Sequence, residues 1–110
     1  KYDLGHYEDS EITYYDNAKT KVKEIIPRMH GRKQGKYYLF YENGVTAVEG
    51  EYVNNARVKM WREWYDTRQR KSHTMYPTRW HDQKDPVLLR KWNTRGQLTY
   101  DIDRGGELKN

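Results

Sequence analysis

Hydrophobic and polar residues alternate over short runs of this chain, which is the period of a β-strand rather than of a helix. The clearest case flanks Asn43-Gly44, where aromatic and β-branched residues recur over 37–41 and 45–52. An Asn-Gly pair between two such runs predicts a β-hairpin with a type I′ turn, in which both central residues have positive φ. We therefore expect two antiparallel strands here, with Gly44 in the left-handed region.

The same pattern recurs along the chain with lower fidelity. The equivalent position is occupied in turn by Tyr15, Tyr41, Tyr65 and Asn93. Consecutive members of this series are 26, 24 and 28 residues apart. A period near 25 residues with two strands per unit predicts a stack of hairpins, each too small to be stable alone. The predicted hairpins span about 11–30, 31–55, 57–79 and 87–104, with a proline-bounded loop at 77–86 and a frayed tail at 105–110.

The predicted turns differ in how well their residues suit a tight hairpin. The third has Thr67-Arg68 where the second has Asn43-Gly44, and Arg68 lacks the conformational freedom of glycine. We therefore expect the third turn to resist this geometry. A short helix over 58–65 is the alternative for that segment, although its aromatic residues fit the hairpin register better.

Residues 31–55 resemble the variant MORN repeat of bacterial YwqK-like antitoxins and of many cell-envelope proteins. The resemblance rests on Gly35-x-Tyr37, on an aromatic pair before Asn43-Gly44, and on the run Gly50-Glu51-Tyr52-Val53-Asn54. It is partial over 11–26 and 57–79 and weak beyond 87. Asn55 and Lys59 depart from the pattern, since glycine is usual at both places. The resemblance implies an elongated β-meander that serves as an interaction or scaffolding module, in a compartment left open between cell envelope and cytoplasm.

The composition favours a sheet coated with aromatic rings. Leu, Ile, Val and Phe make up only 17 of the 110 residues, but there are 11 Tyr and 4 Trp. Amphipathic rings can build a thin core while their polar ends stay in water. We therefore predict an all-β fold, a MORN-like meander of three to four stacked hairpins in an open single-layer sheet. The chain has no cysteine and no apolar run of membrane-spanning length. Because the first residue is Lys1, we expect the chain to be processed, excised or trimmed.

The charge is unevenly distributed along the chain. Residues 2–16 carry five acidic residues and no Lys or Arg, whereas 57–95 carry eleven Lys or Arg against four acidic residues. This asymmetry indicates an acidic partner for the second half, or else only a solvated basic face. The partner is expected to be another protein in a larger assembly. Nucleic acid or an anionic membrane surface is the alternative, because Arg and aromatic rings also suit bases and lipid headgroups.

Both faces of the central strands carry rings, whereas a one-sided sheet in water would keep one face polar. This pattern predicts that one of two faces contacts the partner. The first carries Tyr37, Trp61 and Tyr65, and the second carries Tyr38, Phe40, Arg62 and Trp64. Trp92 of the last hairpin completes the set of candidate binding residues.

No group of residues predicts catalysis, a cofactor or a metal. The four histidines (His6, His30, His73 and His81) are far apart in sequence, and Asp82 and Asp85 near His81 lack the ligand spacing of a calcium loop. Glu42, Glu49, Glu51 and Glu63 lie beside aromatic residues as in a glycosidase, but an open sheet would leave them in water. We therefore expect a protein that is not an enzyme.

Overall fold

The computed structural model describes residues 10–109, and these fold almost entirely into β-strands. The strands in chain order are β1 (Glu11–Tyr14), β2 (Val22–Ile26), β3 (Arg28–Met29), β4 (Arg32–Lys33), β5 (Gly35–Phe40), β6 (Thr46–Val53), β7 (Ala56–Trp64), β8 (Arg70–Tyr76), β9 (Val87–Trp92), β10 (Leu98–Asp101) and β11 (Gly106–Glu107). A single turn of 3-10 helix, Ile102–Arg104, connects the last two.

Nine of these strands form one antiparallel sheet in the order β1-β2-β5-β6-β7-β8-β9-β10-β11, and β3 pairs with β4 apart from it. Neighbours in the sheet are thus neighbours in sequence, except where the β3–β4 hairpin is inserted. The sheet stays open, and the principal dimensions are 45 × 35 × 17 Å. The prediction of an all-β hairpin meander in an open sheet is confirmed, and 58–65 is mostly strand β7 rather than a helix.

The turn at Asn43-Gly44 differs from the predicted type I′ turn. Gly44 has φ of 89°, as expected, but Asn43 does not have positive φ. The Gly44 amide donates to the Tyr41 carbonyl at 2.9 Å, and the Tyr41 amide donates to the Val45 carbonyl at 2.8 Å. This is a type I turn followed by one left-handed residue, which is the usual three-residue hairpin loop with a bulge. The Asn43 side chain stabilises this form of the turn, because its carbonyl oxygen accepts a hydrogen bond from the Val45 amide at 3.0 Å.

The third turn adopts the same geometry, although we expected Arg68 to resist it. Arg68 takes φ of 76°, its amide donates to the Tyr65 carbonyl at 3.0 Å, and the Tyr65 amide donates to Gln69. The expectation was wrong because strand pairing on both sides fixes the loop and overrides the local preference. Gly96 occupies the equivalent left-handed position of the fourth turn, with φ of 85°.

Type I′ geometry occurs instead at two turns that lie at the opposite end of the strands from Asn43-Gly44. Asn54 and Asn55 both have positive φ, 50° and 72°, between the paired residues Val53 and Ala56. His30 and Gly31, with φ of 53° and 79°, make the same two-residue connection between β3 and β4. The two loops interlock, since the Asn55 side-chain carbonyl accepts the Lys33 amide at 2.9 Å. Asn55 thus suits its turn without the glycine usual in the MORN pattern.

Two segments were predicted to lie outside the hairpins, and one of them, the C-terminal tail, forms a strand. The predicted loop 77–86 separates β8 from β9. The tail, expected to be frayed from 105 onward, instead adds β11 to the sheet beside Tyr100 and Asp101, and the Leu108 amide donates to Thr99. Gly105, with φ of 89°, allows this reversal by ending the 3-10 helix in the left-handed region.

Candidate protein-binding surface

One side of the sheet, here called the tyrosine face, carries a closed cluster of rings: Tyr37, Tyr52, Trp61 and Tyr76. Trp61 lies at its centre with 3% of its surface exposed. Its ring stacks on Tyr37 at 5.4 Å and meets the edge of Tyr52 at 5.1 Å and that of Tyr76 at 6.0 Å. The Arg57 guanidinium covers the indole at 4.2 Å. This face therefore buries its own rings without a second layer.

Two further features hold the rings of this cluster tightly against the sheet. Gly50 lies directly beneath the Trp61 indole, and a Cβ there would fall 2.1 Å from a ring atom. The Tyr37 hydroxyl donates to the Glu24 carboxylate at 2.5 Å. Burial, followed by this bond and the Glu24 charge, raises the pKa of Tyr37 well above its ordinary value. Both features indicate that the cluster is a structural core.

The first set of predicted binding residues is thus used inside the fold. Tyr37 and Trp61 belong to the cluster, as above. Tyr65 begins the third turn, where its hydroxyl donates to the Trp92 carbonyl at 2.9 Å and the Lys71 ammonium lies 5.5 Å from its ring. These three side chains are engaged with their own chain, so the opposite face is the better candidate surface.

The opposite side, here called the arginine face, is organised by a row of residues that runs straight across the sheet. Each member is directly paired with the next on the neighbouring strand. The row reads Ile12, Ile25, Tyr38, Glu49, Arg62, His73, Arg90, Asp101. Such cross-strand neighbours have Cβ atoms about 5 Å apart. His73 therefore has an arginine on each side.

A second row on the same face lies nearer the turns. Trp64 of β7 pairs with Arg70 of β8, and the Arg70 guanidinium stacks over the Trp92 ring of β9 at 4.5 Å. The Trp92 ring in turn meets the His73 imidazole at 4.9 Å and an interplanar angle of 71°. The two rows together place three arginines and two tryptophans around one histidine.

The positive charges of this face are unequally compensated. Arg90 binds Asp103 at 2.9 Å and lies 3.6 Å from Asp101. Arg62 and Arg70 are exposed, and within residues 10–109 no ion pair joins either to an acidic side chain. Burial, followed by Arg62, Arg70 and Arg90, lowers the pKa of His73 below its ordinary value. The site is thus electropositive around a histidine whose neutral form is favoured by its surroundings.

An open depression of about 450 Å³ adjoins the second row. Trp64 and Arg68 line it together with Glu49 and Thr46. Nearby, Glu51 lies between the ammonium groups of Lys36 and Lys59, 3.7 Å from each, so the charges at that end of the face are balanced. The uncompensated charge is therefore concentrated at Arg62, Arg68 and Arg70.

The structure brings together part of the second predicted set of binding residues. Arg62, Trp64 and Trp92 lie on the arginine face, as described above. Tyr38 and Phe40 share this face and stack on each other at 5.9 Å, but Phe40 and Trp92 are both buried, with 5% and 6% of their surface exposed. The basic stretch over 57–95 includes Arg70 and Arg90, but the sequence did not predict these two residues or His73 as members of one site. Strand alternation is the only signal for them, and it is disturbed by bulges after Glu63 and after His73.

The groups considered for catalysis or metal binding do not converge. Glu49 and Glu51 lie on the arginine face, whereas Glu63 accepts a 2.9 Å bond from the Ser72 hydroxyl on the tyrosine face. His81 packs near Trp80 in the loop at 77–86, and His6 lies outside the described residues. Over 10–109 no three His, Asp or Glu side chains are grouped as metal ligands would be, and no helix there has the length and hydrophobicity to cross a membrane.

No family model matches the chain, and no curated protein or solved structure is significantly similar to it. The resemblance to variant MORN repeats therefore stays a prediction, and the function is argued from the surface alone.

Proposed function

We propose that the protein is a non-catalytic binding module whose arginine face docks onto another protein, as a subunit of a larger assembly. The observation that carries the proposal is the exposed pair Arg62 and Arg70 next to the half-buried Trp64, neither of which forms an ion pair with an acidic side chain within the described residues. Tryptophan and arginine are the residues most enriched at the centres of protein interfaces.

The architecture supports this function in a second way. A sheet only 17 Å thick has little interior of its own, and it gains stability when a partner covers the apolar surface of Trp64 and pairs with the neighbouring arginines. The tyrosine face already covers its rings with Arg57, so the arginine face has more to gain. This difference between the faces is why the proposal commits to the second.

Capture from a cell extract with tagged protein tests the proposal. Trp64→Ala and Arg62→Glu should each lose a protein that the unchanged chain retains, because truncating a buried interfacial Trp costs about 2 kcal/mol or more. Trp80→Ala is the matched control, since Trp80 is 48% exposed in the loop at 77–86, outside the strands that form the arginine face. Thermal unfolding of each variant shows whether its fold is intact.

Salt separates this function from nucleic-acid or lipid binding. Binding to an interface centred on tryptophan should weaken less as salt rises than phosphate-driven binding, which falls steeply. Retention of the same protein by both folded variants would place the interface elsewhere and overturn the proposal. Capture that disappears on nuclease treatment would replace it with nucleic-acid binding.

A further inference from the structure

We propose that the partner presents an acidic peptide segment whose carboxylates bind between Arg62 and Arg70, beside His73. This inference rests on the proposed function and names the chemistry of the partner. It starts from the row of directly paired residues in which Arg62, His73 and Arg90 stand side by side on three strands.

The three arginines around His73 are not equivalent. The Arg90 guanidinium lies next to the carboxylates of Asp101 and Asp103, so its charge is compensated within the chain. Arg70 is held by its planar contact with Trp92, which fixes the guanidinium but leaves its N–H groups available, since stacking uses only the flat face. Arg62 is exposed on the adjoining strand. The two uncompensated guanidinium groups thus flank one point of the surface.

The neighbours of this point favour a carboxylate. A guanidinium binds a carboxylate through two parallel N–H···O bonds, and such charge-assisted bonds are about twice as strong as neutral ones. The partly exposed Trp64 offers apolar contact on the turn side of the two arginines, which suits the methylene groups of Glu or an adjacent apolar side chain.

A continuous polyanion fits the same surface less well. Glu49 is paired with Arg62 on one side, and Asp101 is paired with Arg90 on the other, so an acidic side chain lies at each end of the segment Arg62, His73, Arg90. The evenly spaced phosphates of a nucleic-acid strand would meet these carboxylates as well as the arginines. A peptide can place its few carboxylates at the central pair alone.

Calorimetric titration with a short Glu-Glu-Leu-Glu-Glu peptide, blocked at both ends, tests the inference. The peptide should bind, and its Gln-Gln-Leu-Gln-Gln counterpart should not. The double variant Arg62→Gln/Arg70→Gln should weaken binding about tenfold or more. Arg32→Gln, which removes the same charge from an exposed site on β4, should leave binding unchanged.

A second readout reports on the position of the bound peptide. A carboxylate beside His73 favours its charged form, so the His73 pKa measured by NMR should rise when the Glu peptide binds. A purely structural role of the arginines would not produce this shift. Inorganic phosphate and a single-stranded thymidine oligonucleotide serve as competing probes.

The outcomes distinguish this inference from the proposed function. Equal binding of the Glu and Gln peptides, full binding by the double variant, or tighter binding of the oligonucleotide or phosphate would each overturn the acidic-peptide site. In those cases a protein captured through Trp64 would still support the binding module. Peptide binding that requires both arginines, is unaffected by Arg32→Gln and raises the His73 pKa would support the inference.

Discussion

The hydroxyl of Tyr41 donates a 2.7 Å hydrogen bond to the backbone carbonyl of Trp64, which lies 23 residues further along the chain. Trp64 directly precedes Tyr65, the equivalent of Tyr41 in the next hairpin. The same bond joins Tyr15 to Phe40 at 2.6 Å and Tyr65 to Trp92 at 2.9 Å. Each hairpin is thus tied to the next by one tyrosine at the start of its turn, and Asn93 ends the series.

The first prediction concerns this tyrosine series. Tyr41→Phe and Tyr65→Phe should each lower the free energy of unfolding by about 1 kcal/mol, because each removes one partly buried hydrogen bond and little apolar contact. Chemical denaturation of the variants measures the loss. Tyr100→Phe is the control, since its hydroxyl makes no hydrogen bond within the described part of the chain. An equal effect of Tyr100→Phe would show that the loss at Tyr41 and Tyr65 comes from the ring environment and not from the bond.

The sequence predicted the hairpins because their signals are local. Alternation over six to nine residues, as in β5 and β7, places strands correctly, and Gly44 and Gly96 mark their turns. It could not predict the β3–β4 insertion, whose strands have two residues each, too few for a period. Nor could it predict that Arg68 takes a left-handed conformation, because that is imposed by pairing between distant strands.

The second prediction compares two residues at the same turn position. Arg68→Gly should stabilise the protein by about 1 kcal/mol, because it removes the steric cost of a left-handed side-chain residue. Gly44→Ala should destabilise it by a similar amount, since nothing lies within 4 Å of the added Cβ and only the backbone conformation is affected. The β-branched Gly44→Val should cost more.

Denaturant midpoints at matched slopes measure both changes. Opposite signs at Arg68 and Gly44 are the distinctive expectation, because the two positions are equivalent in geometry. A loss of stability in Arg68→Gly would mean that the Arg68 side chain contributes more through the depression beside Trp64 than its backbone costs.

The third prediction concerns the contact between Gly50 and Trp61. Gly50→Ala should cost about 3 kcal/mol or more, because the added Cβ would lie 2.1 Å from the indole and the ring cannot move away from Tyr37 and Arg57 without breaking the cluster. Thermal unfolding and the near-ultraviolet signal of the aromatic rings report the loss. Val48→Ala, on the same face of β6, should cost much less. A Gly50→Ala protein as stable as the unchanged chain would mean that Trp61 has room to repack.

The candidate site was less predictable than the fold. Alternation places Arg62 and Trp64 together, and the sequence predicted this. Which face is free depends on Arg57 covering Trp61 four residues along the same strand, where the pairing of β7 with β6 is irregular and simple alternation does not give the distance. The environment of His73 depends on the exact pairing of three strands, and a bulge shifts the register on each side of it.

The last prediction follows from the His73 environment. Burial and the neighbouring Arg62, Arg70 and Arg90 lower its pKa in the folded state, whereas the unfolded value stays near 6.5. On acidification the unfolded chain therefore binds a proton first. Stability should be complete above the unfolded pKa and should fall as the pH drops through it, until the folded protein also takes up the proton.

Urea unfolding at about pH 7 and about pH 5 measures this effect, and the His73 imidazole shift followed by NMR gives the folded pKa directly. His73→Gln should reduce the loss of stability between the two pH values, and Arg62→Gln should reduce it partly by removing one of the three positive neighbours. Arg32→Gln, on β4 away from the arginine face, should leave the pH dependence as in the unchanged chain. A folded His73 that titrates at or above its ordinary pKa would contradict the arrangement of three arginines around it.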